Sequence, residues 1–289
     1  RMRVPSLYSL LYEPPKPLVE RRLRLEVTER VGADGEVLIP LDMDSLNAAI
    51  QKLRDEEVEA VAVCFLHSYR YPDHERTVGA ALREALPDTF VSLSIDVLPE
   101  IREYERTSTT VVNAYLGPIV KSYTDSLVQQ VEGANVSAPV RIMQSNGGVM
   151  TGEEAGYRPI HMMESGPAAG SIGAAEVGRL MGLENMITFD MGGTTTKASV
   201  IEAGQPLTTV EFEIFEAPNK PGSGWPIRVP MIDIFEAGAG GGQGRSGAGP
   251  GGGGAGTPAV LAPGPMGCTE RTLMGPCCAS HVDFQRTAY

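Results

Sequence analysis

Residues Ile187 to Gln205 read "ITFDMGGTTTKASVIEAGQ". An apolar alternation ends in Asp190. Gly192, Gly193, Thr194, Thr195 and Thr196 follow, and then a second alternation begins. Alternating runs joined by a few residues are antiparallel neighbours, so the stretch predicts a β-hairpin with Gly192 to Thr196 at its turn. The next run, "LTTVEFEIF" (207–215), extends the expectation to an antiparallel meander over Met186 to Phe215.

The composition of the turn suggests a chemistry. Glycines let a backbone approach a ligand closely and take up positive φ. Successive N–H groups in such a turn make a concavity for anions. Threonine hydroxyls add donors without adding charge. A carboxylate beside phosphate needs a bridging divalent cation or a water to hold. The turn therefore reads as a site for nucleotide phosphate plus Mg2+, with Asp190 organising the metal or the water. A Walker A loop is excluded, because neither G-K-[ST] nor a helix pattern follows the glycines. From spacing alone, a polar hairpin with convenient turn residues fits as well.

Upstream, strand and helix signals alternate. "RLRLEVTERV" (22–31), "AVAVCFLHS" (60–68), "FVSLSIDVL" (90–98) and "PVRIMQSNGG" (139–148) read as strands. "DMDSLNAAIQKLRDEEVE" (42–59), "DHERTVGAALREAL" (73–86), "STTVVNAYLGPIVKSYTDSLVQQVEG" (108–133) and "GPAAGSIGAAEVGRLMG" (166–182) read as helices, the third irregular at Gly117 and Pro118. The alternation implies an α/β architecture with a largely covered sheet. "NKPGSGWP" (219–226) reads as a loop and "IRVPMIDI" (227–234) as a further strand.

The 289 residues carry a net charge of -12, with 42% hydrophobic and 21% charged residues. That length suffices for two domains. The negative charge argues against nucleic acid, whose backbone needs clustered Lys and Arg. It does not argue against nucleotides held by N–H groups and a metal. No run of 18 apolar residues exists, so no membrane-spanning segment is expected. Four cysteines make no disulfide framework, which points to a reducing cytoplasm. Cys64 reads as a buried core thiol, and "CTERTLMGPCC" (268–278) lacks the paired spacing of a zinc site.

"FDMGGTTTK" (189–197) resembles the phosphate-binding hairpin of the actin, sugar kinase and heat-shock-protein ATPase superfamily. "AVCFLHSYRYPDHE", "EYERTSTTVVNAYLGP", "MQSNGGVM", "ESGPAAGSIGAA", "ITFDMGGTTTKAS" and "PIRVPMIDI" resemble, in order, blocks of one branch: the hydantoinase A, 5-oxoprolinase and acetone carboxylase family. The likeness runs over residues 1 to 242. It implies actin-like (ribonuclease H-like) ATPase domains. It also implies ATP and Mg2+ as cofactors and a partner subunit of the hydantoinase type. The implied activity is ATP-dependent opening of a cyclic amide such as hydantoin or 5-oxoproline. Carboxylation of a ketone, by the same activation of a carbonyl, is the rival within the family. A non-catalytic actin-like fragment is the rival outside it.

By the resemblance, Asp190 holds Mg2+ or water, and Gly192, Gly193, Thr194, Thr195 and Thr196 bind phosphate. Gly238, Gly240, Gly241 and Gly242 resemble the loop that contacts adenosine. Lys197 is expected either to neutralise phosphate or to point to solvent.

The expected division is 1–105 as the remainder of a first domain, 106–242 as the start of an ATPase domain, and 243–289 as an aberrant or disordered tail. Between Gly238 and Gly256, 12 of 19 residues are glycine. The family's upstream hairpin, D-x-G-G-T-x-T-D, has no counterpart here. A truncated start and a shifted reading frame after Gly242 would explain both departures, and are the expectation here.

Other candidates have plainer readings. His67 and His74 read as satisfied histidines, and His161 has no partner at metal-ligand spacing. Glu103, Glu105 and Arg106 read as a solvated capping turn. Gln144 to Gly148 reads as a strand-to-helix turn or a substrate contact. Ser165 and Gly166 read as a close-packed helix start or an anion site.

Overall fold

The computed structural model describes residues 16–192, 195–214 and 224–237. After a 3-10 turn at Arg21–Leu23, β1 (Arg30–Val31) and β2 (Val37–Ile39) form a small antiparallel ribbon. The expected strand over 22–31 is thus confined to its last two residues. Helix α1 (Met43–Asp55) starts at Asp42, whose carboxylate accepts from the N–H groups of Asp44 and Ser45. This satisfies two donors that the first turn leaves open.

β3 (Ala60–Val63), α2 (Asp73–Ala85) and β4 (Phe90–Leu93) form a parallel βαβ unit, with Ala60 opposite Phe90 and Val63 opposite Leu93. Leu46, Ile50, Leu53, Val63, Val78, Leu82, Val91 and Leu93 fill one core between the helices and this pair.

The alternation in "FVSLSIDVL" breaks at Ser94, where a short helix, α3 (Ser94–Val97), begins. Glu75 is the cause. Its buried carboxylate accepts from Ser94 Oγ (2.7 Å), the Ile95 N–H (3.1 Å) and the Phe65 N–H (2.8 Å). A buried charge holding three donors outweighs the strand propensity of Ile95 and Val97.

Helix α4 (Glu103–Gly133) runs through Pro118 and lies along β3 and β4. A Cβ on Gly117 would meet the Phe90 ring at 2.3 Å, so glycine permits the close approach. Asn113, fully buried, donates to Ser92 Oγ (2.9 Å) and the Tyr157 carbonyl (3.2 Å) and accepts from the Ile160 N–H (3.2 Å). The solvated capping turn is corrected here: Glu105 and Arg106 are buried. Arg106 donates to the carbonyls of Glu100 (2.7 Å) and Phe65 (2.6 Å) and stacks over Tyr69 at 5.6 Å.

β5 (Arg141–Met143) and β6 (Val149–Thr151) form a hairpin, so Gln144 to Gly148 turns strand to strand rather than strand to helix. α5 (Gly152–Tyr157), a 3-10 turn (Pro159–Met162) and α6 (Ser165–Met181) follow. A Cβ on Gly178 would meet the Met186 side chain at 2.1 Å and the Leu183 carbonyl at 2.9 Å, which fixes how closely α6 lies to the next strand.

β7 (Met186–Met191) and β8 (Thr196–Glu202) form the expected antiparallel hairpin, with β9 (Gln205–Pro206) returning along β8. The meander then fails. β10 (Thr208–Thr209) and β11 (Phe212–Ile214) leave the sheet to pair with β13 (Met231–Ile232) and β12 (Trp225–Ile227). The second long flank of β8 is taken by β14 (Ile234–Ala237), giving the order β14-β8-β7. Ile214, Ile227 and Val229 instead complete a second core with Val97, Leu98, Val112 and Ile160. Burial of those apolar residues against α4 selects the departure.

Candidate functional site

The hairpin is built around register pairs Asp190–Lys197 and Met191–Thr196, and the Gly192 N–H donates to the Thr195 carbonyl (2.9 Å). Gly192 is exposed and Thr195 half-buried at this turn. Thr196 is the first residue of β8, and it is buried rather than displayed in the turn. Gly193 and Thr194 lie outside the described residues, as do Gly238, Gly240, Gly241, Gly242 and the tail 243–289. β14 ends at Ala237, opposite Thr196 and so beside the hairpin turn.

Opposed residues in an antiparallel pair share a face. Asp190, Lys197 and Glu236 are opposed across three strands and therefore form one row. Asp190, at the outer end, is exposed. Lys197 and Glu236 are buried. The Lys197 ammonium donates to Glu164 Oε2 at 2.5 Å and lies 3.7 Å from Glu236 Oε1. Lys197 therefore does not point to solvent. Burial pushes the Glu164 carboxyl up, against the pull of the Lys197 hydrogen bond, and Glu236 nearby adds to the rise.

One step along the sheet, Ser199 Oγ bridges Thr188 Oγ1 (2.5 Å) and Ser171 Oγ of α6 (2.8 Å). This chain of hydroxyls keeps a polar sheet face satisfied under the helix. Glu164 is the residue just before α6, in the left-handed backbone region (φ 58°). Its neighbour Met163 offers its carbonyl to Ser145 Oγ, which also donates to the His161 carbonyl (2.7 Å). The Ser145 carbonyl in turn accepts from the Ile232 N–H (2.8 Å). "QSNGG" and "ESGP" are thereby tied to each other and to the strand before β14.

His161 is half-buried, and burial, reinforced by Arg158, lowers its pKa against the opposing Glu154. His74 is satisfied by Glu29 (2.8 Å). Cys64 is half-buried and receives a hydrogen bond from Thr107 Oγ1 (2.9 Å). Glu164 and Glu236 were not legible as site residues in the sequence. They meet Lys197 across 33 and 39 positions, and no local spacing signals that.

The donor set fits a nucleotide with a divalent cation. One exposed carboxylate stands beside a glycine–threonine turn, and no group of three or more His, Cys, Asp or Glu among the described residues makes a metal cage. Magnesium bound to phosphate takes one or two carboxylates and keeps several waters, and so needs no such cage. No helix among the described residues is long and apolar enough to cross a membrane.

The family model for the hydantoinase/oxoprolinase domain matches residues 106–260, and the model for its N-terminal region matches residues 1–86. The chain belongs to the hydantoinase/oxoprolinase family. Among family members, an uncharacterised protein of Methanocaldococcus jannaschii is 41% identical over 243 residues, 83% of this chain and 36% of that protein. Caprolactamase subunit alpha of Pseudomonas jessenii is 38% identical over 232 residues, 80% of this chain and 32% of that subunit. The crystal structure of ATP-dependent caprolactamase from the same organism aligns with a TM-score of 0.67 at 37% identity, over 78% of this chain and 32% of that one. A nucleotide-free structure of acetone carboxylase aligns with a TM-score of 0.66 at 26% identity, over 79% and 31%. The chain spans about a third of the length of these relatives.

Proposed function

We propose that this chain carries part of the ATP site of an enzyme that opens cyclic amides, built on actin-like domains and working with a second subunit. The observation that carries the reading is the exposed Asp190 carboxylate at the end of β7, beside the Gly192–Thr195 turn. Similarity to caprolactamase subunit alpha and to 5-oxoprolinase supports the reaction class. In that reaction the carbonyl oxygen of the ring takes the terminal phosphoryl group of ATP, releasing ADP. Water then adds at the carbon, the C–N bond breaks and phosphate leaves. Resonance makes an amide carbonyl a poor electrophile, and this coupling removes that barrier.

Asp190 would hold Mg2+, directly or through water. The Gly193 N–H would face phosphate oxygens, with the hydroxyls of Thr194 and Thr195 adding donors, while the Gly192 N–H, taken by the Thr195 carbonyl, would close the turn. Magnesium would supply charge neutralisation between the phosphates. Thr196, being buried, would act through the backbone. The glycines at 238 and 240–242 would border the nucleoside. Carboxylation of a ketone is a second reading, favoured by a fold likeness to acetone carboxylase equal to that for caprolactamase.

The test is ADP release by the family-length polypeptide carrying this sequence, with its partner subunit. It is offered caprolactam, 5-oxoproline, hydantoin, or acetone with bicarbonate. Stimulation by a cyclic amide is expected, and stimulation by acetone alone would transfer the conclusion to carboxylation. Asp190→Asn should lower turnover at least ~100-fold, as loss of a positioned electrostatic group does. Unchanged turnover would overturn the role of Asp190.

A further inference from the structure

We propose that Lys197 is a positioning residue, held by Glu164 and Glu236, which fixes the phosphate hairpin against β14 and the start of α6. This rests on the phosphate-hairpin reading above. Lys197 is the second residue after the hairpin turn, and Glu236 is the second residue before Gly238. They are cross-strand partners, so the contact lies beside both the hairpin turn and the end of β14. Glu164 brings in a third element, the start of α6.

The detail at Glu164 separates this tie from an ordinary helix cap. Glu164 occupies the cap position of a 17-residue helix, yet its side chain makes no capping hydrogen bond. Its backbone takes the left-handed conformation and its carboxylate goes to Lys197 instead. A non-glycine residue persists there when its surroundings over-determine it. Buried charges are tolerated when paired, and removing one partner leaves the rest uncompensated. The lysine thus spends its charge on two carboxylates. Its consequence is geometric: the hairpin, β14 and α6 keep one mutual arrangement.

The two roles for Lys197 predict opposite signs. If it were a phosphate ligand restrained by the glutamates, Glu164→Gln or Glu236→Gln would release it and tighten ATP binding. A positioning lysine loses its anchor in the same variants, and ATP binding weakens. The assay is KM for Mg-ATP and kcat in the family-length enzyme, for Lys197→Met, Lys197→Arg, Glu164→Gln, Glu236→Gln and Asp190→Asn. Lys197→Met should raise KM for ATP about tenfold or more with a smaller change in kcat, since displacement of a loop by about 1 Å has effects of this order. Lys197→Arg should recover part of the loss, because it keeps the charge with a different fork.

Each glutamine variant should raise KM in the same direction, and these near-isosteric changes carry the test if Lys197→Met does not fold. A fall in KM for either glutamine variant overturns the proposal. So does an unchanged KM when Asp190→Asn is inactive, and in that case the phosphate-hairpin reading survives. If Asp190→Asn retains full turnover, the reading itself fails, and the proposal fails with it.

Discussion

The β3–β4 pair and the β7–β8 hairpin bury their sheets in opposite ways. β3 and β4 are parallel and short; the buried residues that pack their face toward α1 and α2 are aliphatic alone, and polar contact is confined to the α4 side, where Asn113 meets Ser92. The hairpin presents Thr188, Asp190, Lys197 and Ser199 toward one face and buries an ion triad and a hydroxyl chain there. Its other face leaves Ile187 75% and Phe189 61% exposed. The first region is stabilised by area removed from water. The second spends its interior on charge and hydrogen bonding, which stabilise little but fix geometry. The second kind of interior suits a sheet that holds a ligand at its turn, the role proposed for this hairpin.

The comparison breaks most readily in the aliphatic core. Leu46→Ala should cost about 2–5 kcal/mol by denaturant unfolding, as buried leucine truncations do. A loss below 1 kcal/mol would mean that the region is loosely packed. A smaller effect comes from the junction at His161. Its lowered pKa favours the neutral ring in the folded state, so the unfolded chain binds the extra proton. Stability should fall as pH drops below about 6.5, with a slope under the ~1.4 kcal/mol per pH unit of one whole proton. Unfolding of wild type and His161→Gln between pH 7.5 and 5 checks this, and parallel curves would remove His161 as the cause. The smallest effect belongs to the open face of the hairpin. Phe189→Ser should change stability by no more than about 0.5 kcal/mol, since little apolar area is lost. A loss above 2 kcal/mol would show that this face is covered.

Legibility in the sequence followed the same divide. The hairpin could be read because both of its strands and its turn lie within seventeen residues, and α4 because 31 residues of helix outweigh one proline. The third strand of the meander had the right alternation, but a strand pattern does not name its partner. Ile214 was drawn to the core with Val112 and Ile160, and β14 took the vacated flank. The helix at Ser94 depended on Glu75, 19 positions away, and the burial of Arg106 on carbonyls at Phe65 and Glu100. For the candidate site, Asp190 and the turn could be read from spacing. The pairing that consumes the charge of Lys197 could not.

The late arrival of β14 also bears on how the protein is made. β8 leaves the ribosome well before Ile234 does, and at ~5–20 residues per second the wait is roughly two to six seconds. During that interval the buried partner of Lys197 on β14 has not been synthesised, and one flank of β8 stands open to any other strand. The sheet can close only once the polypeptide has been extended as far as the entrance to the glycine loop. Completion of this sheet therefore coincides in time with synthesis of the last strand before the glycine run.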